Sequence, residues 1–310
     1  MKKLHTYGPV PSRRFGLSLG VDVVPHKTCC YDCVYCQLGK TTDLRVERLD
    51  FYPLAEILGD VKSALEAGPL PDVITLAGSG DASLYASLGS LLKGIHELSD
   101  IPILLLTNGG LLFKDEVARD VMQADILSPS LDAGDPETFQ RINQPDRSIS
   151  FTQMYSGLQT VTKNHPGKVQ LEVMLAKDVN DSADDIAQIA SCLEHVRKDS
   201  IDINTPVRPV PDRPVFACSA TTLKNARDVF GQAARIIANY SGRTAEALDV
   251  SEADKRIFEL LSRRPCTVDD LHNSLGLHRN QILKVIARAV ESGVVEERVG
   301  NKNTYYFVVK

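Results

Sequence analysis

The chain has 310 residues, 43% hydrophobic and 24% charged, with 35 Lys and Arg against 40 Asp and Glu for a formal net charge of −5. That length buries about 75% of its unfolded surface in one or two domains, and the composition is that of a soluble globular protein. The acidic balance argues against a general nucleic-acid binder, and neither a secretory leader nor an apolar run of roughly 18 residues is present, which points to the cytoplasm and away from the membrane.

Taken in order, residues 7–16 carry two prolines and two glycines and predict an irregular lead-in. The adjacent Arg13 and Arg14 read as a solvated pair or as a grip on a carboxylate or phosphate. Residues 17–24 alternate like a strand, end at Pro25 and run into a cysteine-rich loop. Helices are expected over 54–67, 87–98, 114–123, 151–164, 182–197 and 223–240, and further strands over 72–77, 102–106, 125–131, 168–175 and 200–204. Six β-then-α units imply parallel strands joined by right-handed crossovers. A partial (β/α)6 TIM-like barrel fits, with a doubly wound open sheet as the alternative. Either one puts the cysteine loop at the C-terminal end of a strand, where parallel α/β folds carry their chemistry.

Polar residues cluster at those strand ends. Gly78, Ser79, Gly80 and Asp81 follow the second strand; the glycines let backbone approach a ligand, and Asp81 equally suits a helix cap. Asn108 follows the third strand and Ser130 and Asp132 the fourth, all of them ordinary turn residues. Glu172 lies between apolar neighbours of the fifth strand, pointing either into the barrel or out to water. Residues 204–214 hold four prolines and form a stiff segment near the barrel mouth. Its Arg208 and Arg213 are candidates for a substrate carboxylate or phosphate, or are exposed on a rigid linker. Cys218 reads as a small apolar residue or as a hydrogen donor.

A boundary falls at 245–249, dividing a core of residues 1–244 from a tail of 245–310. The tail predicts a helix capped by Ser251, helices over 267–275 and 278–292, and strands over 294–299 and 304–309 around a turn at 300–303. Three helices and a hairpin look like a winged helix-turn-helix, with Arg279, Asn280, Gln281, Lys284 and Arg288 on the polar face of the third helix. Residues 249–310 hold ten Lys and Arg against nine Asp and Glu, a net of +1, which argues against DNA as the partner.

The loop between the first strand and the first helix reads Cys29-Cys30-Tyr31-Asp32-Cys33-Val34-Tyr35-Cys36. Cys29, Cys33 and Cys36 have the spacing C-x3-C-x2-C, which wraps three thiolates around one face of a cubane cluster and leaves one iron open. Zinc would call for a second pair of ligands, and Cys192, Cys218 and Cys266 are scattered singly; a disulfide would call for an oxidising compartment. Cys30, Cys33 and Cys36 make the competing spacing C-x2-C-x2-C; Cys29 is preferred.

With an aromatic residue at Tyr35, this motif resembles the C-x3-C-x-aromatic-C signature of the radical S-adenosylmethionine (SAM) enzymes. The runs Tyr-Gly-Pro-Val-Pro-Ser-Arg-Arg, Gly-Ser-Gly-Asp, Ser-Leu-Asp-Ala-Gly and Asn-Thr-Pro-Val-Arg-Pro extend the likeness over residues 5–220, to the Fe–S oxidoreductases related to the tRNA wybutosine-synthesis enzymes. The resemblance implies a [4Fe–4S] cluster on Cys29, Cys33 and Cys36, with SAM on the open iron. It also implies reductive cleavage of SAM to a 5′-deoxyadenosyl radical that abstracts hydrogen from substrate. In relatives the glycine-rich turn reads Gly-Gly-Glu-Pro and binds SAM's amino group; here Asp81-Ala82 replaces Glu-Pro. Asn108, Ser130 and Asp132 match positions that hold SAM's carboxylate and ribose, Tyr35 packs near the adenine, and Glu172 meets SAM or substrate. Arg13, Arg14, Arg208 and Arg213 would meet a peptide, protein, RNA or modified-nucleoside substrate, and an electron donor such as flavodoxin or ferredoxin would be needed. The alternative is an iron–sulfur redox sensor that binds DNA through the tail.

Overall fold

The computed structural model describes residues 4–12, 14–208, 210, 213–237, 250–300 and 303–309, the side chains of residues 11 and 250–253 excepted. Strand β1 (Thr6–Ser12) turns back on β2 (Gly16–Val21), pairing Thr6 with Val21 and Ser12 with Gly16. The lead-in expected to be irregular is therefore a strand. Its prolines are tolerated because β1 lies at the edge of the sheet, where a missing N–H interrupts no second ladder. The cysteine loop follows, tied at its base by a short parallel pairing of β3 (Thr28–Cys29) with β4 (Asp43–Leu44).

The alternation then runs α1 (Leu54–Ala67), β5 (Val73–Leu76), α2 (Leu88–Leu98), β6 (Ile103–Thr107), α3 (Asp115–Val121), β7 (Ile126–Pro129), α4 (Pro136–Asn143), α5 (Phe151–Asn164), β8 (Lys168–Met174), α6 (Ala183–Glu194), β9 (Ser200–Asn204), α7 (Ala220–Phe230) and β10 (Ala234–Ile236). The sheet has eight strands in the order β1-β2-β5-β6-β7-β8-β9-β10, parallel from β2 onward. Two elements depart from expectation. The helix predicted over 223–240 stops at Phe230, because Gly231 takes φ 86 and the chain returns as β10; residues 238–240 lie outside the described residues. Helix α4 was not foreseen, although Asp135 caps the N–H groups of Glu137 and Thr138 and Pro136 starts its first turn.

The faces of the sheet divide by residue type. Along β8, Val169, Leu171 and Val173 are fully buried among the helices, whereas Gln170, Glu172 and Met174 alternate onto the other face and are half-buried. That second face is strongly concave. Strands β2 and β8 are four steps apart, about 19 Å on a flat sheet at ~4.8 Å per step. Even so, Arg14, in the turn before β2, reaches Glu172 Oε2 of β8 at 2.7 Å and Asp202 Oδ2 of β9 at 3.3 Å. The sheet must curl until its two sides meet across an arginine side chain.

Helices α8 (Val250–Arg263), α9 (Val268–Leu275) and α10 (Arg279–Glu291) precede an antiparallel hairpin of β11 (Val295–Val299) and β12 (Thr304–Val308). Ser251 lies in the first turn of α8 rather than before it, and the expected boundary at 245–249 falls outside the described residues. Ile257, Leu260, Leu271, Leu275, Ile282, Ile286 and Val295 form a core of their own, which Val10 of β1 joins. Polar ties add to that seam: Tyr305 Oη donates to the Val207 carbonyl at 2.9 Å, and Arg208 lies 3.7 Å from Asp270. No helix among the described residues is long and apolar enough to cross a membrane.

Candidate functional site

The cysteine loop is held from several sides. The Val34 and Asp32 amides donate to the carbonyls of Ile142 and Gln144, so the C-terminal end of α4 spends two of its free acceptors on the loop. Thr41 donates its amide to Asp32 Oδ1 and its hydroxyl to the Tyr31 carbonyl. Arg213 binds the Asp32 carbonyl at 2.9 Å and Asp32 Oδ2 at 2.5 Å. Burial alone would raise the Asp32 carboxyl, but the Thr41 amide and the Arg213 guanidinium outweigh it and hold the group below its ordinary value. Tyr31 is buried, with its ring edge against Phe139 of α4.

The glycine-rich turn clamps the loop from the other side. Ser79 O accepts from the Lys27 amide at 2.6 Å, and the Asp81 amide donates to Thr28 O at 3.3 Å. A Cβ on Gly80 would overlap the Thr28 carbonyl oxygen, so only glycine permits this approach. Gly78 has φ +154, and a Cβ there would meet Asp22 Cγ at 2.6 Å. Asp22 in turn accepts from the Ser79 amide and hydroxyl and from Arg263 Nη1 at 3.2 Å.

Four sulfurs lie in this frame, all as free thiols. Cys29, Cys33 and Cys36 are half-buried; Cys30 is 0% exposed, packed into the core beside Gly110. Asn108 Nδ2 lies 3.3 Å from both Cys29 Sγ and Cys30 Sγ. Its orientation is settled by the Gly110 amide, which donates to Asn108 Oδ1 at 2.8 Å. Asn143 Nδ2 lies 3.6 Å from Cys33 Sγ, and Lys27 Nζ 3.3 Å from Cys36 Sγ. The hydrogen bond with Cys30 lowers the Cys29 thiol below its ordinary value, whereas burial pushes Cys30 and Cys33 well up. No three His, Cys, Asp or Glu side chains converge on a single-ion site among the described residues. The thiolates of a cubane each take a different iron and need no such convergence. Three soft thiols on partly exposed residues of one loop, each within reach of a side-chain N–H donor, fit that kind of group.

The strand-end residues come together at the same end of the sheet. Asp81 caps the short turn Ala82–Leu84 and accepts from the Thr107 hydroxyl and the Asn108 amide, so it braces the neighbouring turn. Ser130 pairs with Glu172 in register beyond β7. Asp132, matched above to a cofactor contact, has its carboxylate taken by the chain itself. It accepts from Tyr35 Oη at 2.5 Å, Asn143 Nδ2 at 2.8 Å and the Met174 amide at 2.9 Å. Burial raises Asp132 to about 6 and Tyr35 well above its usual value.

The arginines expected to meet a substrate anion are likewise engaged internally. Arg14 spans Glu172 and Asp202, Arg208 lies near Asp270 and Gln37, and Arg213 binds Asp32. Arg13 lies outside the described residues. Cys218 is buried with Sγ 3.5 Å from Asp181 Oδ2, and burial pushes its thiol up to about 12. On α10, Arg279 pairs with Asp269 and Arg288 with Asp254, so two of the tail's candidate nucleic-acid contacts are neutralised. Sequence reasoning missed Lys27, Asn143, Asp22 and Arg263. Lys27 stands two residues before Cys29, which was a usable cue; the others reach the site only through folding.

Comparison with known proteins gives the family. Residues 23–190, more than half of the chain, match the Radical SAM superfamily model. A protein named GTPase Obg from Brachyspira hyodysenteriae is 34% identical over 99% of the chain, which spans 46% of that relative's length. A UPF0026 protein of Synechocystis sp. is 36% identical over 66% of the chain and 76% of its own length. Among solved structures, a radical SAM methyltransferase from Sphaerobacter thermophilus aligns over 71% of this chain and 65% of its own, with a TM-score of 0.57 at 20% identity. TYW1 with a lysine-pyruvate adduct bound aligns over 72% of this chain and 75% of its own, with a TM-score of 0.52 at 16% identity. The likeness to those two is one of fold, and on the match of its family model the chain belongs to the radical SAM superfamily.

Proposed function

We propose that this chain is a radical SAM enzyme in which Cys29, Cys33 and Cys36 carry the cluster, acting on a polar substrate such as a peptide, a protein or a modified nucleoside. The superfamily's cofactors are a [4Fe–4S] cluster and SAM. When bound, they supply one-electron cleavage of SAM and a 5′-deoxyadenosyl radical that takes a hydrogen atom from substrate. The observation that carries the reading is the sorting of the four sulfurs: Cys29, Cys33 and Cys36 are half-buried, while Cys30 is sunk in the core.

The other residues follow from their surroundings. Gly78, Ser79 and Gly80 present backbone and a hydroxyl beside the loop, suited to SAM's amino group, and Asp81 holds that turn against Asn108. Asp132 positions Tyr35 through the 2.5 Å bond to its hydroxyl, so the ring presents a fixed face to the adenine. Substrate would enter the concave face. Three buried side-chain oxygens there, Ser128 Oγ, Gln170 Oε1 and Ser200 Oγ, have no hydrogen-bond partner among the described residues. Their registers place them side by side on β7, β8 and β9, and they offer hydrogen-bonding capacity to a polar group. The tail is read as a winged-helix-like module packed on β1 and the proline-rich segment. An external flavodoxin- or ferredoxin-class donor would supply the electron.

The test is anaerobic. Iron-reconstituted protein with SAM and dithionite should release 5′-deoxyadenosine. Cys29→Ala, Cys33→Ala and Cys36→Ala should each lose it, and Cys30→Ala should keep it. Cleavage retained by Cys29→Ala would move the site to Cys30, and wild-type protein without iron would sink the reading.

A further inference from the structure

We propose that Lys27 is a positioning residue that raises the reduction potential of the cluster through a charge-assisted N–H···S bond to Cys36, completing a set of three donors with Asn108 and Asn143. This rests on the reading of Cys29, Cys33 and Cys36 as cluster ligands.

Lys27 is 3% exposed. Burying an ammonium group is costly unless something compensates it. No carboxylate lies within ion-pair distance of its Nζ among the described residues; the polar contact it makes is Cys36 Sγ at 3.3 Å. The backbone is bent to put it there, for Lys27 has φ 60, a left-handed conformation uncommon for a residue with a Cβ. Its amide and carbonyl are both bound, to Ser79 O at 2.6 Å and by the Asp43 amide at 3.1 Å. A lysine held rigidly in an unfavourable conformation with its charge aimed at a ligand sulfur is placed for that sulfur.

The pattern extends to the other two ligands. Asn108 Nδ2 reaches Cys29 Sγ and Asn143 Nδ2 reaches Cys33 Sγ, from the ends of β6 and α4. Each ligand sulfur thus meets a side-chain N–H donor from a different element. Hydrogen bonds to cluster sulfurs and local charge are the protein's levers on potential. Reduction takes one electron from an external flavodoxin- or ferredoxin-class donor, makes and breaks no bond, and adds one negative charge to a site that already carries three thiolates. A fixed positive charge and three N–H dipoles favour the reduced form, and Lys27 contributes the one formal charge of the set.

The experiment is an anaerobic redox titration of the reconstituted full chain, following the electron paramagnetic resonance signal of the reduced cluster. At the wild-type midpoint, Lys27→Met should hold at least tenfold less reduced relative to oxidised cluster, a shift of about 59 mV to lower potential for a one-electron couple. Lys27→Arg, which keeps the charge, should return toward the wild-type midpoint. A methionine variant that titrates with the wild type, or an arginine variant shifted as far as the methionine one, overturns the assignment. If Lys27→Met retains no iron, Lys27→Gln makes the same measurement, and loss of iron there too overturns it, because Lys27 is then needed only for folding. Wild-type chain that binds no cluster fails at the earlier reading, and the iron assay separates the two.

Discussion

Asp132 shows how a single residue at this site is tuned by its surroundings. Its carboxylate is 2% exposed and accepts from a tyrosine hydroxyl, an asparagine amide and a backbone amide. Burial outweighs these donors and raises the group to about 6 from its ordinary 3.8. A raised folded-state value means that the unfolded chain ionises first. Stability of the cluster-free protein therefore falls as the pH rises from about 4 to about 6 and levels off above, by up to about 3 kcal/mol for a two-unit shift. Asp132→Asn should flatten that slope in urea titrations run across the window. An unchanged slope would mean that another group carries it.

At the scale of elements, the site is a seam between the cysteine loop and the turn after β5. The two approach so closely that Gly80 has no room for a side chain. Gly80→Ala must push the turn off Thr28, at a cost of about 1–3 kcal/mol in the range of overpacked sites. Because the same turn holds Lys27 and Asn108 in place through Ser79 and Asp81, the variant should lose bound iron along with stability. Iron content and denaturant midpoint measured on one preparation test this; full iron loading at an unchanged midpoint would show that the turn has slack. Helix α4 works from the opposite side, where its terminal carbonyls receive the loop's Asp32 and Val34 amides.

At the scale of the molecule, two long-range ion pairs draw distant parts of the chain together. Arg14 ties the first hairpin to β8 and β9, and its partner Asp202 is held from the other side by Arg235 Nε at 2.6 Å. Arg263 of α8 lies over the Tyr7 ring, 4.2 Å from its centroid, and reaches Asp22, which binds Ser79 of the glycine-rich turn. The C-terminal unit is therefore two contacts from the glycine-rich turn. Removing Arg263 leaves the 3%-exposed Asp22 carboxylate short of its cation. Arg263→Ala should cost about 3 kcal/mol, as for other broken buried pairs, measured by urea unfolding of the full chain. A loss under a few tenths of a kcal/mol would show that Asp22 is satisfied by Ser79 alone.

The amino-acid order by itself determined the parts of this protein that depend on near neighbours. The three-cysteine spacing lies within eight residues, so the chemistry it implies was readable without a fold. The strands and helices from β2 to α6, apart from β3, β4 and α4, followed from apolar periodicity and local turn residues. Expectation failed where distant partners decide. The Pro-rich lead-in became a strand because β2 pairs with it, and α7 ended early because β9 had a free edge for β10. Tertiary structure alone decided which cysteines stay partly exposed and which donors their sulfurs meet. It alone turned Arg14, Arg208 and Arg213 onto the chain's own polar groups. Those contacts join residues up to 188 positions apart, Arg14 with Asp202 the farthest of them. Their energies depend on burial and on distances of a few ångströms, which no local pattern in the sequence encodes.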